Sequence, residues 1–217
     1  MTTILVDGPQ QDCGLCPRLA EFRQANKGAI PLGHNAPVPS FGSLDAEVLI
    51  VGLAPGLHGA NTTGRPFTGD WAGDLLYATL LKFGWAEGHY GESADDGLIL
   101  RNIRITNAVR CVPPENKPTP AEQAACRPFL TKEMAAMPRL RAVLALGTVA
   151  HGAVLAARGL RKSSFPFAHG AVHPLPDGLI LTDSYHCSRY NTNTGRLTVA
   201  MFEAVFTGLC TLGRGCR

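Results

Sequence analysis

The chain has 217 residues, 45% apolar and 17% charged, enough apolar matter for a sizeable core and too little charge for a disordered polyelectrolyte. No apolar run reaches the ~18 residues of a membrane span, and the first residues lack the basic start and apolar stretch of a secretion signal, so we expect a cytoplasmic chain forming one domain over 1–217. The net charge of +3 divides unevenly, with −4 on residues 1–126 and +7 on residues 127–217, and arginine outnumbers lysine 15 to 5. That division points either to an anionic polymer such as nucleic acid or to an incidentally basic surface.

Residues 1–46 are rich in proline and glycine and show little periodicity. Cys13-Gly14-Leu15-Cys16-Pro17 opens a short helix through Arg23, and residues 28–42 read as loop. Glu47 to Val51 is a short apolar run ending in Gly52, a buried strand. Asp70 to Phe83 has helical spacing, with Leu75, Leu76, Leu80 and Phe83 on one side. Ile103 to Val109 reads as a strand. Thr119-Pro120-Ala121-Glu122 is a capping box with proline at the first helical position. Ala142 to Gly147 is a strand, Thr148 to Ala157 a helix, Leu179 to Thr182 a strand, and Thr194 to Leu209 a last helix before a loose tail, 210–217.

Strands alternating with helices predict a three-layer α/β/α sandwich around a mostly parallel four-stranded sheet. Right-handed crossovers then place the strand C-termini on one rim, where such sheets bind ligands. The residues just past the strands are therefore the ones to weigh. They are Gly52-Leu53-Ala54-Pro55-Gly56, then Asn107, then Gly147-Thr148, then Tyr185-His186-Cys187-Ser188-Arg189.

The glycine-rich turn matches neither G-x-G-x-x-G nor a P-loop. It lets backbone N–H groups approach a ligand closely, or is simply a tight turn. Asn107 offers a donor beside an acceptor, which matches the imide edge of a pyrimidine, or it caps the strand end. Phe67 offers a flat ring for stacking. Asp70 is a helix N-cap, a carboxylate facing the rim, or both. His186 can polarise a carbonyl oxygen, and Ser188, Arg189 and Asn191 make a polar loop suited to a phosphate backbone. Seven cysteines are many for a cytosolic chain. Cys13 and Cys16 form a C-x2-C pair, and Cys111 and Cys126 are separated by fourteen residues. Four thiolates can hold zinc or an iron–sulfur cluster, and the second pair lacks zinc-ribbon spacing. Cys187 and Cys210 read as packing residues and Cys216 as a tail thiol.

Taken in order, GLAPG, GRPFTGD, TNAVRC with its downstream cysteine, and HCSRYNTNTGRLT resemble the uracil-DNA glycosylase superfamily. The likeness runs from Cys13 to Val205 and is strongest to the type B, or family 5, iron–sulfur branch. Family 4 members carry an acidic residue in the first loop, as in GEAPG, whereas this loop has no carboxylate. The crosslinking relatives carry a basic insertion after the phenylalanine loop, which is absent here.

The resemblance implies a monofunctional hydrolase of uracil, and of other deaminated or damaged bases (hypoxanthine, xanthine, ethenocytosine), in DNA base excision repair, acting as a monomer. It implies catalytic roles for Asp70 and His186. Gly52, Ala54, Gly56, Phe67 and Asn107 would bind the base, and Ser188, Arg189 and Asn191 the DNA. Cys13, Cys16, Cys111 and Cys126 would hold a structural [4Fe-4S] cluster. Two alternatives stand beside it: a family 4-type enzyme strict for uracil, and a non-catalytic, zinc-stapled DNA-binding protein.

Overall fold

The computed structural model describes residues 8–212. Helix α1 (Pro17–Ala29) begins with proline at the position where a missing N–H costs nothing, with Cys16 as its N-cap residue. It runs six residues past the expected Arg23. Strand β1 (Val48–Gly52) is buried throughout. A short helix α2 (Ala60–Thr63) and helix α3 (Trp71–Lys82) follow, and the Asp70 side chain caps α3 by accepting from the Gly73 N–H. Strands β2 (Ala86–Glu87) and β3 (Ile99–Leu100) form a small antiparallel pair outside the main sheet.

Strand β4 (Ile103–Asn107) is followed by α4 (Pro120–Ala135), which starts with the full capping box of Thr119 and Glu122. Strand β5 (Ala142–Leu146) leads into α5 (Thr148–Ala157). Strands β6 (Val172–Pro174) and β7 (Ile180–Ser184), then helices α6 (Arg189–Asn193) and α7 (Val199–Leu212), complete the described chain.

The main sheet has five strands in the order β4-β1-β5-β7-β6, not four. Four are parallel as expected, and β6 pairs antiparallel with β7 at the edge. Three residues long, half-exposed and ending in proline, β6 has no apolar alternation to betray it. The single last helix is also corrected: Gly195, at φ +70°, separates α6 from α7, since a left-handed residue cannot continue a helix. Cys210 packs against the core and is disulfide-bonded, so it is more than a packing residue. Cys216 lies outside the described residues.

The period of two along a strand sorts the cores. Val48, Ile50 and Leu144 face α3 and α7, where Leu76, Leu80, Phe202 and Phe206 cover them. Leu49, Val51 and Val143 face α4 and α5, meeting Leu130, Met134, Val154 and Leu155. A third, small core joins Leu19 of α1 to Val109, Cys111 and Cys126. Among the described residues no helix is long and apolar enough to cross a membrane.

Because β1 pairs with β4 on one side and β5 on the other, the chain reverses direction across the sheet at β1. The C-termini of β1, β4, β5 and β7 share one rim, and an open α/β sheet binds ligands at such a reversal.

Candidate active site

The parallel register sets Gly52, the last residue of β1, beside Asn107, the last of β4. A β-carbon on Gly52 would collide with the Asn107 Oδ1 and would lie 2.5 Å from Phe67 Cζ. Gly52 is therefore the floor on which Asn107 and Phe67 meet, rather than a residue lining the space above them. That space is a narrow recess bounded by Ala54, Gly56, Phe67, Asp70, Asn107 and His186. The recess opens into an outer cavity of about 500 Å³, which shares Ala54, Gly56, Asp70 and His186 and adds Trp71, Ser188 and Arg189 at its mouth.

Phe67 is 6% exposed and sits at φ +54°, a left-handed conformation that costs a non-glycine residue on the order of 1–3 kcal/mol and marks a site held by its surroundings. Its ring stacks with that of His186, centroids 5.9 Å apart and planes 28° from parallel. His186 lies two residues beyond β7, and its carbonyl oxygen accepts from Asn191 Nδ2 at 2.8 Å. Burial pushes the His186 imidazole down to about 4, so the ring is neutral at pH 7 and presents one N–H. Desolvation raises the Asp70 carboxyl above the usual aspartate range, against the two backbone N–H groups of Ala72 and Gly73, which pull it down. The recess thus pairs a neutral imidazole with a poorly solvated carboxylate.

At the mouth, the Ser188 hydroxyl caps α6 by accepting from the Asn191 N–H at 3.4 Å. Arg189 is exposed, with its guanidinium 5.6 Å from the centroid of the Trp71 ring. Trp71 in turn donates from Nε1 to Thr192 Oγ1 at 2.8 Å. The Asn191 amide is turned inward to His186, which ties the loop down instead of offering that amide to solvent. Sequence reasoning missed Trp71, although an exposed tryptophan directly after the capping aspartate was a signal.

Cys13, Cys16, Cys111 and Cys126 line one small apolar hollow with Leu19 and Phe129, and all four are free thiols. Burial pushes the Cys111 thiol up to about 12 and raises Cys126 and Cys16 as well, so the anionic form needs a compensating cation. The Arg110 backbone N–H donates to Cys126 Sγ at 3.4 Å. A single tetrahedral zinc at ~2.3 Å from each sulfur holds its thiolates within ~4 Å of one another. Among the described residues no three of these sulfurs come within 4.8 Å of each other, whereas the ligand atoms of His151, His173 and Asp183 do. The four thiols thus face one hollow, a donor set that suits a thiolate-ligated metal group. The histidine–aspartate set is closed by its own hydrogen bonds, with His151 Nδ1 2.8 Å and His173 Nε2 3.2 Å from the Asp183 carboxylate.

Comparison with known proteins agrees with this geometry. The family model for the uracil DNA glycosylase superfamily matches residues 39–210. A Thermus thermophilus protein named type-5 uracil-DNA glycosylase is 48% identical over 198 residues, covering 89% of this chain and 90% of that one. A Pyrobaculum aerophilum protein of the same name is 43% identical over 89% of this chain and 86% of its own. A type-4 uracil-DNA glycosylase from the same organism is 33% identical over 70% of this chain and 63% of its own. The chain belongs to the uracil-DNA glycosylase superfamily and, within it, to the type-5 uracil-DNA glycosylases.

Proposed function

We propose that this chain flips uracil out of DNA, hydrolyses its N-glycosidic bond, and accepts other deaminated or damaged bases, working as a cytoplasmic monomer in base excision repair. One observation carries this reading: Phe67 and Asp70 of one loop, Asn107 at the end of β4 and His186 beyond β7, three separate chain segments, line a single recess on the ligand-binding rim. A base stacked in a duplex is unreachable and must leave the stack at a cost of a few kcal/mol. Phe67 returns part of that by stacking. The Asn107 amide reads the Watson–Crick edge, because it presents a donor and an acceptor side by side.

As the glycosidic bond breaks, uracil leaves as an anion with charge on O2 and the sugar becomes cation-like. The neutral His186 donates its N–H to O2, an electrostatic effect worth ~3 kcal/mol. The Asp70 carboxylate stabilises the sugar and orients the attacking water. Its poor solvation makes it the stronger base. Arg189 at the mouth enters the space that the flipped base vacates. The wide outer cavity, continuous with the recess through Gly56 and His186, gives room to bicyclic bases such as hypoxanthine and xanthine and to ethenocytosine.

Cys13, Cys16, Cys111 and Cys126 would hold a [4Fe-4S] cluster, which would supply a rigid tie between the start of α1, the segment after β4 and α4. The deciding assay incubates the protein with duplexes carrying one defined base each, then treats them with alkali. Breaks at uracil, hypoxanthine, xanthine and ethenocytosine are expected. Breaks at uracil alone would replace the broad range with strict uracil specificity. Binding without any break would leave a non-catalytic DNA-binding protein.

A further inference from the structure

The Phe67 loop is held from behind by a segment that the recess does not touch. Arg65 donates from Nη1 and Nη2 to the two oxygens of Asp96 at 2.7 and 2.6 Å, and both side chains are almost fully buried. The same guanidinium donates from Nε to Thr68 Oγ1 at 2.8 Å, so it grips both ends of the turn that carries Phe67. Its carbon lies 5.1, 5.2 and 5.8 Å from the ring centres of Phe41, Tyr77 and Tyr90.

Asp96 has no spare capacity. Its oxygens also accept from the Gly91 and Leu98 N–H groups, each at 2.9 Å, and the Arg65 guanidinium first, helped by these two bonds, holds its carboxyl far below the usual aspartate range. Tyr77 Oη donates to the Pro66 carbonyl at 2.6 Å. Tyr90 Oη accepts from the Gly69 N–H at 3.3 Å and lies 3.4 Å from the Phe67 carbonyl. Gly73 leaves room for that carbonyl, since a β-carbon there would strike it.

We infer that the connection between β2 and β3, through Asp96 and Tyr90, is a positioning brace that keeps Phe67 in its left-handed conformation and so sets the stacking surface for the flipped base. This rests on the proposed glycosylase function. A non-glycine residue at φ +54° relaxes unless its neighbours forbid it, and the bonds from the brace fall on residues 65, 67 and 69, which flank or include that residue. None of them reaches the recess itself. Asp96 and Tyr90 therefore act through Phe67 and not on the substrate.

The test compares wild type, Asp96→Asn, Tyr90→Phe and Phe67→Ala, and the double variant Asp96→Asn with Phe67→Ala, all as full-length holoprotein assayed well below the lowest Tm. Two quantities are read: the single-turnover rate on a uracil duplex, and the affinity for a duplex bearing a tetrahydrofuran abasic site, which has no base to stack. The brace predicts a rate loss of about tenfold or more for Asp96→Asn, as expected for a displaced reacting group, and a smaller loss for Tyr90→Phe. It predicts abasic-site affinity within twofold of wild type, and little added loss when Asp96→Asn is placed on Phe67→Ala. Wild-type rates in both single variants, parallel loss of abasic-site binding, or full additivity would each overturn it. An inactive wild-type protein would instead sink the glycosylase function on which the brace depends.

Discussion

The carboxylate of Asp70 rests on the α-carbon of Gly59. A β-carbon at Gly59 would lie 2.5 Å from Asp70 Oδ2 and 2.9 Å from its Cγ, and the backbone there has a negative φ. Close approach, not a left-handed turn, is what calls for glycine. Gly59→Ala should push the carboxylate out of the recess and lower the single-turnover rate by about tenfold to a hundredfold, the scale of an ångström's misplacement. The fold should survive, because the atoms that a β-carbon would meet all belong to the Asp70 side chain, which can turn away. A rate within twofold of wild type would show that Asp70 can move without cost.

Asp70 has two jobs that can be separated. As N-cap of α3 it accepts from the Gly73 N–H at 3.1 Å, and asparagine caps as well as aspartate. As the base it must be ionised, against a burial that raises its carboxyl. Asp70→Asn should therefore cost roughly 10²-fold or more in rate while leaving Tm unchanged or raised by a few degrees.

The pH dependence follows from the same shifts. As pH falls the folded protein protonates Asp70 before an ordinary aspartate would, so the acid limb of the rate lies above the usual carboxylate range and disappears in Asp70→Asn. Protonating Asp70 relieves its own cost to stability. His186 works in the opposite direction: its folded value is depressed from 6.5 to about 4, so stability present above pH 6.5 is lost between those two values. Rate and thermal-melt profiles over pH 4–8 would read both.

The sheet was legible because four apolar runs followed by glycine, asparagine or a polar loop leave little else for a parallel core to be, and the capping box marked the start of α4 to the residue. Reading the strand ends as the ligand rim singled out Asn107 and His186, whereas Phe67 and Asp70, which follow no strand, were joined to them through the resemblance. What escaped has no local signature. Strand β6 is short and half-exposed. The contact of Arg65 with Asp96 joins residues 31 apart through polar atoms, which no hydrophobic period records. Gly52 and Asn191 were assigned by position on the rim, but their directions were decided by packing, one under the recess and one inward.

The four-cysteine hollow should give a brown protein with visible iron–sulfur absorbance and about four irons and four sulfides per chain. Removing a ligand by Cys111→Ser should cost several kcal/mol, ~10 °C in Tm for a chain of this size. It should also expose the segment around α1 to limited proteolysis, since that helix is pinned to the rest through Leu19 and the cysteine core. A colourless protein with one zinc per chain would replace the cluster with a single ion, and the sulfurs would then have to draw together.

Asp183 carries a proton account of its own. It is 0% exposed and joins α5, β6 and β7 through two histidines. His151 Nε2 lies 2.9 Å from the Phe165 carbonyl, an oxygen that can only accept, so that nitrogen keeps its hydrogen. The 2.8 Å approach of His151 Nδ1 to Asp183 Oδ1 then needs one more hydrogen between them. In wild type it is a titratable proton. In Asp183→Asn the amide N–H supplies it, while the amide oxygen still accepts from His173. That variant should melt within a few degrees of wild type. Asp183→Ala leaves the buried His151 Nδ1 and the His173 Nε2 without their shared partner and should cost on the order of 3–5 kcal/mol, the scale of breaking a buried pair. Thermal melts of the two variants decide it, for equal large losses in both would mean that the carboxylate's charge, rather than the shared hydrogen, holds the three elements together.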